Sequence, residues 1–166
     1  MTVFLIRHGS AGVRNDADPH DVERHLDEVG RQQAERIADA LGGGAIPEGL
    51  SGVAAPAVVR IVSSPAPRCV ETVGPLAARL DLTITEAPAL LEGSAVEDAW
   101  DLVESLALAD GDSVLCSHGD VIPDLIRRAR LRGMLVPTKS GCSKGSIWAL
   151  NWEGERFETG TYVRNH

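Results

Sequence analysis

Hydrophobic positions along the chain alternate between a strand-like period and a helix-like one. Residues 2–8 form an apolar, strand-favouring run and read as a buried strand. Residues 10–27 are polar and acidic, include Pro19, and read as a long loop. From residue 28 to 41, Gly30, Gln33, Ala34, Ile37 and Leu41 recur every three or four positions. That spacing predicts a helix with this face turned inward and Asp27 as its cap. Gly42-Gly43-Gly44 ends it, and a Gly/Pro/Ala-rich connection follows to about Val59. Residues 60–63 predict a second strand, broken by Ser64-Pro65, and a helix follows over 68–80 in which Pro75 should introduce a kink. Residues 82–87 alternate apolar and polar, as a strand near a sheet edge does. Ser94 and Glu97 have capping-box spacing and predict a helix to about Leu108. Residues 113–117 predict a fourth strand and residues 120–130 a helix, with Pro123 in its first turn. Residues 146–152 and 156–163 predict two closing strands around Glu153-Gly154.

Strands and helices that alternate in this way imply an α/β protein. The expected architecture is a three-layer α/β/α sandwich with a mostly parallel central sheet, formed by one domain over residues 1–166. Sites in such sheets form at the carboxyl ends of the strands. The first strand ends at Arg7-His8-Gly9. The second ends at Ser63-Ser64-Pro65, with Arg68 one turn into the next helix, and the fourth ends at Ser117-His118-Gly119. Two arginines and two histidines should therefore meet at one sheet edge, with Glu92 added by the loop after the third strand.

Composition narrows the chemistry. Apolar residues make up 43% of the chain, too many for a disordered one. A net charge of −8 argues against nucleic acid or an anionic membrane surface as a partner. Of the 16 basic residues only Lys139 and Lys144 are lysines, so an anion site would be built mainly from guanidinium forks. There is no apolar run of about 18 residues to span a membrane, and the first residues lack the basic-then-apolar pattern of a signal segment. Cys69, Cys116 and Cys142 are odd in number and widely spaced, as expected of reduced thiols in a cytoplasmic protein. Cys116 and His118 lack the second close pair that a structural zinc site needs.

Paired guanidiniums suit the oxygens of a phosphoryl group. A neutral imidazole is a competent nucleophile toward phosphorus. Glycine directly after each histidine lets backbone approach an anion. A carboxylic acid would supply the proton that the leaving oxygen needs.

The segments "LIRHG", "LDEVGRQQA", "SSPAPRCVET", "LLEG" and "VLCSHGDVI" resemble, in order and spacing, the histidine phosphatase superfamily and its phosphoglycerate-mutase-like fold. The resemblance runs from residue 2 to about 128. It implies His8 as a nucleophile that is phosphorylated and then hydrolysed. It further implies Arg7, Arg68, His118 and Gly119 around the phosphate, with His118 also in the catalytic set, and Glu92 as the acid, with Asp120 its rival. No metal or cofactor is implied. The substrate would be a phosphorylated small molecule or a phosphoprotein, and nothing in the sequence sets an oligomeric state. The short length is most similar to the branch that includes phosphohistidine phosphatases, and to modules fused to Nudix hydrolases. Mutases of the family usually carry Glu after the RHG, where this chain has Ser10. A mutase and a non-catalytic phosphate-binding module are the competing readings.

Other patterns have plainer explanations. "GCSKG" at 141–145 matches the G-x-S-x-G hydrolase elbow, but its serine precedes a strand where the elbow requires a strand before it and a helix after it. Arg127, Arg128, Arg130 and Arg132 crowd a helix C-terminus, where cations favour the dipole, and read as a solvated face. Gly42 to Gly44 lack the setting of a nucleotide loop. His20, His25 and His166 are expected to be solvated, and Cys69 and Cys116 to be core. Asp16, Asp18, Asp21 and Glu23 follow the first strand and could form a lid that disfavours polyanionic substrates. The walls that select the leaving group are expected in loops 11–25, 43–58 and 132–145.

Overall fold

In β1 (Thr2–Arg7) the side chains of Val3 and Leu5 face one side of a sheet and those of Phe4 and Ile6 the other, all of them buried. Two-sided burial of one strand demands a layer of helices on each face. The computed structural model, which describes residues 1–165, shows that arrangement; the expectation for His166 lies outside the described residues. The elements after β1 are α1 (Glu28–Leu41), β2 (Val58–Ser63), α2 (Pro67–Leu80), β3 (Ile84–Glu86), α3 (Val96–Ala107), β4 (Asp112–Ser117), α4 (Val121–Leu131), β5 (Ile147–Glu153) and β6 (Arg156–Val163). Short 3₁₀ turns at Asp21–Glu23, Glu48–Leu50 and Pro88–Leu90 lie in the loops.

The sheet has six strands in the order β3-β2-β4-β1-β5-β6. The first four are mutually parallel, and β5 and β6 are antiparallel additions. Ile37 of α1 and Val73 and Leu76 of α2 pack with Phe4, Ile6, Ile61 and Val114 on one face. Trp100 and Val103 of α3 and Ile122 and Ile126 of α4 pack with Val3, Leu5, Leu115 and Trp148 on the other. The register aligns Arg7 with Ser117 and Ser63 with Cys116, so the carboxyl ends of β1, β2 and β4 are level.

The three-layer fold and its mostly parallel sheet match the expectation from sequence, as does the edge position of β3. One local reading is corrected. Ser94 and Glu97 form no capping box, because α3 begins after Ala95 without a side-chain cap. The Ser94 hydroxyl donates instead to the Pro88 carbonyl of the 3₁₀ turn (3.1 Å), and Glu97 reaches Arg128 on α4 (3.1 Å). Pro75 lies inside α2, which continues unbroken across it.

The exit of β1 is tied closely to α1. Asp27 caps that helix by accepting from the Gly30 N–H (2.8 Å), and its second oxygen accepts from the Ser10 hydroxyl (2.6 Å) and the Gly12 N–H (3.0 Å). These bonds, the one from Ser10 foremost, hold its carboxyl down at about 2. Gly30 sits under the Ser10 carbonyl, and a β-carbon there would stand 2.0 Å from that oxygen. Ala in place of Gly usually gains about 1 kcal/mol in a helix. Here Gly30→Ala should destabilise the fold by about 1–3 kcal/mol through forced displacement, read as a lower urea midpoint.

Candidate active site

Arg68 is the second residue of α2, reaches over the ends of β1 and β4, and is only 2% exposed. Its Nε donates to His8 Nε2 (3.3 Å), and its Nη2 lies against His118 Nδ1 (3.2 Å) and Glu92 Oε2 (3.3 Å). Its Nη1 donates to the Val22 carbonyl (3.2 Å). The two imidazole rings stand edge to face, with centroids 5.4 Å apart. One guanidinium thus gathers the ends of two strands and the Glu92 loop.

His8 is itself buried. Its Nδ1 lies 2.8 Å from the Gly9 carbonyl, which can only accept, so the proton sits on Nδ1 and Nε2 keeps its lone pair. Burial pushes the ring pKa down, the Gly9 carbonyl raises it, and the charges of Arg68, His118 and Arg7 lower it further, to about 3. The backbone after His8 is fixed from two sides. The Gly9 N–H donates to Thr72 Oγ1 (2.9 Å), and the Gly145 N–H donates to the Arg7 and His8 carbonyls (3.0 and 3.1 Å).

For His118, Arg68 is the donor at Nδ1, so Nε2 carries the proton and donates to Ser64 Oγ (2.8 Å). Cys69 lies beneath that ring, its sulfur 3.6 Å from Nε2. Burial raises the Cys69 thiol, but contacts with Cys116, His118 and Arg68 outweigh it and hold it at about 6, while burial pushes Cys116 up. Both thiols are core, as expected. Arg7 donates from Nη1 to the Cys142 carbonyl (2.7 Å), and its guanidinium lies flat against Gly119. A β-carbon at residue 119 would stand 2.8–2.9 Å from three guanidinium atoms.

Glu92 bridges two arginines, with Oε2 on Arg68 and Oε1 on Arg14 (2.7 Å). Asp120 caps α4 by accepting from the Val121 N–H (2.9 Å), and its other oxygen accepts from the Gly93 N–H (2.7 Å). Arg7, His8, Arg68, Glu92, Gly119 and Asp120 line one open cavity of about 340 Å³, together with Arg14, Arg24 and Lys144. That volume falls at the low end of the roughly 300–1,000 Å³ usual for ligand sites. Among the described residues there is no cluster of three or more potential metal-ligating side chains, and no helix is long and apolar enough to cross a membrane.

Residues 3–99 match the family model of the histidine phosphatase superfamily (branch 1). The chain belongs to that superfamily. A curated relative from Mycolicibacterium smegmatis, the 8-oxo-(d)GTP phosphatase, is 34% identical over 154 residues, or 90% of this chain. The chain spans only 44% of that relative's length. Among solved members of similar fold, the protein histidine phosphatase SixA complexed with tungstate is 20% identical with a TM-score of 0.69, covering 99% of this chain and 95% of that one. A mycobacterial glucosyl-3-phosphoglycerate phosphatase complexed with VO3 is 21% identical with a TM-score of 0.67, covering 99% and 98%.

Every site residue named from the sequence lies in this cluster, with His118 buried beside Arg68 and the others on the cavity wall. The acidic-lid reading is corrected, because Asp16, Asp18, Asp21 and Glu23 do not line the cavity, whereas Arg14 and Arg24 of the same loop do. Asp16 and Asp21 serve as partners of those two arginines (2.6 and 3.0 Å). Loop 43–58 also contributes nothing to the cavity, since it leads into the opposite, amino end of β2. His20 and His25 are exposed, paired with Glu23 and Glu71. Thr72 and Ser64 were missed as supports. Thr72 follows Arg68 by four residues, the spacing that shares a helix face, so the motif held that signal.

Two outcomes follow from this geometry. Gly119→Ala should leave the urea midpoint nearly unchanged, because the atoms it meets end a flexible side chain. It should raise the inhibition constant of inorganic phosphate about tenfold by displacing Arg7, at about 1.4 kcal/mol. The lowered pKa of His8 means that the unfolded chain binds more protons than the folded one between pH 6.5 and about 3. Stability should therefore be fully present above pH 6.5 and fall as pH drops through that window. His8→Asn should flatten this part of the profile of urea midpoint against pH.

Proposed function

We propose that the chain is a metal-independent phosphatase that hydrolyses a phosphomonoester or phosphoramidate through a phosphohistidine on His8. The observation that carries this reading is the buried, neutral His8, whose Nε2 lone pair faces the guanidinium of Arg68. The substrate phosphate would take the Nε–H of Arg68 and further donors from Arg7, while His118 holds the Arg68 fork from the other side. His8 Nε2 attacks phosphorus, the bond from phosphorus to the leaving group breaks, and the leaving atom takes a proton from Glu92. Water then attacks phospho-His8, its proton returns to the carboxylate, and free phosphate leaves.

Glu92 is the acid we favour over Asp120. Both Asp120 oxygens accept from backbone N–H groups that fix the loop and the helix start, whereas Glu92 is held only by side chains that a substrate also engages. Substrate binding to Arg68 frees Glu92 Oε2, which takes up the proton of a monoanionic phosphate group and passes it to the leaving atom. The names of the relatives support phosphatase chemistry, and the tungstate and VO3 complexes of the solved neighbours are those of oxyanions in the same fold. The mutase reading loses support, because the Ser10 side chain is turned onto Asp27 and does not line the cavity. Two wholly buried thiols, Cys69 and Cys116, suit a reducing cytoplasm.

Wild-type protein should turn over p-nitrophenyl phosphate in the presence of EDTA, and His8→Ala should abolish it. Turnover that survives His8→Ala would overturn the covalent mechanism. Glu92→Gln should slow the reaction by about 10²–10⁴-fold. An unchanged rate would transfer the acid role to Asp120 or solvent. Phosphate binding without turnover by the wild type would support the binding-module reading.

A further inference from the structure

More cationic side chains line the cavity than its phosphate end uses. Five cationic side chains line it against the carboxylates of Glu92 and Asp120, in a chain whose net charge is −8. Arg7 and Arg68 belong to the phosphate end described above. Of the remaining three, Arg24 is neutralised by Asp21 (3.0 Å) and donates to the Ala11 carbonyl (2.8 Å). Arg14 is an exposed side chain shared between Asp16 and Glu92. Lys144 has no carboxylate within ion-pair distance among the described residues.

Lys144 is not a loosely held loop residue. Its carbonyl accepts from Gln33 Nε2 on α1 (3.2 Å). The next residue, Gly145, adopts a left-handed φ of 74° and donates its N–H to the carbonyls of Arg7 and His8. One residue before it, Ser143 is held by the Tyr162 hydroxyl, which accepts from its N–H (3.1 Å). The backbone on both sides of Lys144 is thus pinned to the strand end that carries His8; its side chain lines the cavity, near enough to Asp27 to feel that charge but without an ion pair among the described residues. A cation carried on pinned backbone beside a phosphate site, with no ion pair among the described residues of an acidic molecule, suits a second anion.

We propose that Lys144 and Arg14 form a second anionic subsite that takes a second phosphoryl group of the same substrate, so that a phosphoanhydride or bisphosphate is preferred over a simple monoester. The proposal rests on the reading of this cavity as the phosphate-hydrolysis site. It also gives Arg14 a use beyond pairing: a second phosphate competes with Glu92 for its guanidinium, so binding the substrate's far end loosens the acid's second tether.

The test compares methylenediphosphonate with methylphosphonate, two non-hydrolysable probes that differ by one phosphoryl-like group, as competitive inhibitors of p-nitrophenyl phosphate turnover. The diphosphonate should bind at least about tenfold more tightly, and the advantage should shrink as salt rises. Lys144→Ala and Arg14→Ala should each reduce the ratio of the two inhibition constants severalfold, and Lys144→Arg should restore it. Equal affinities, or an advantage indifferent to both substitutions, would overturn the subsite. Should p-nitrophenyl phosphate not be turned over at all, the hydrolysis reading fails separately. Calorimetric titration of the same two probes into the wild-type chain then decides the subsite by the same ratio.

Discussion

The structure turns on a guanidinium almost entirely out of water. A buried cation is costly unless charges and hydrogen bonds surround it, and Arg68 has one partly exposed carboxylate, one backbone carbonyl and two imidazole nitrogens. Those contacts engage all three of its nitrogens, and Glu92 is the one carboxylate among them. Burial first, and then the charge of Arg68, keep a proton off His8 Nε2, whose lone pair accepts from Arg68 Nε. Nucleophile and anion clamp are thus two results of one electrostatic condition.

That condition holds only because the sheet register is strict. A shift of one residue in β4 against β1 would turn His118 to the opposite face, away from Arg68. The helices on each side hold the register through cores made of alternate residues of the same strands. At the exit of β1 the close approach of Gly9 to Gly30 lets α1 pack against the strand end, and the Asp27 cap fixes the direction in which the loop leaves. The loop then returns Arg14 and Arg24 to the cavity over this anchored corner.

Much of this was legible in the sequence, for identifiable reasons. The strand runs and the α1 face from Gly30 to Leu41 are periodic signals, and the rule that parallel sheets place sites at strand ends predicts that Arg7, Arg68, Glu92 and His118 meet. The misses came where a side chain had competing partners. Ser94 and Glu97 have the spacing of a cap, but a neighbouring carbonyl and a guanidinium on another helix outcompete it, and only three-dimensional proximity shows that. The loop of residues 11–25 reads as acidic by count. Its arginines face inward and its aspartates serve them from outside, so the composition of that segment has the opposite sign from the surface it presents. Loop 132–145 is an expected wall of the site, but nothing in the sequence singles out Lys144 within it, since its placement depends on bonds made by the residues flanking it.

His8, Arg68 and His118 come from three strand-to-helix junctions spread across the first three quarters of the chain, and they meet only when β1, β4 and β2 are paired side by side. No fragment ending before β4 contains the constellation, and no sheet that lacks β1, β2 or β4 aligns it. An oxyanion held at this point therefore has no affinity for incomplete conformations and contributes its whole binding free energy to the native one. The occupied site acts as a clasp on the entire domain, and protection by a bound oxyanion should extend to the slowest-exchanging amides of the sheet as well as to the loops around the cavity.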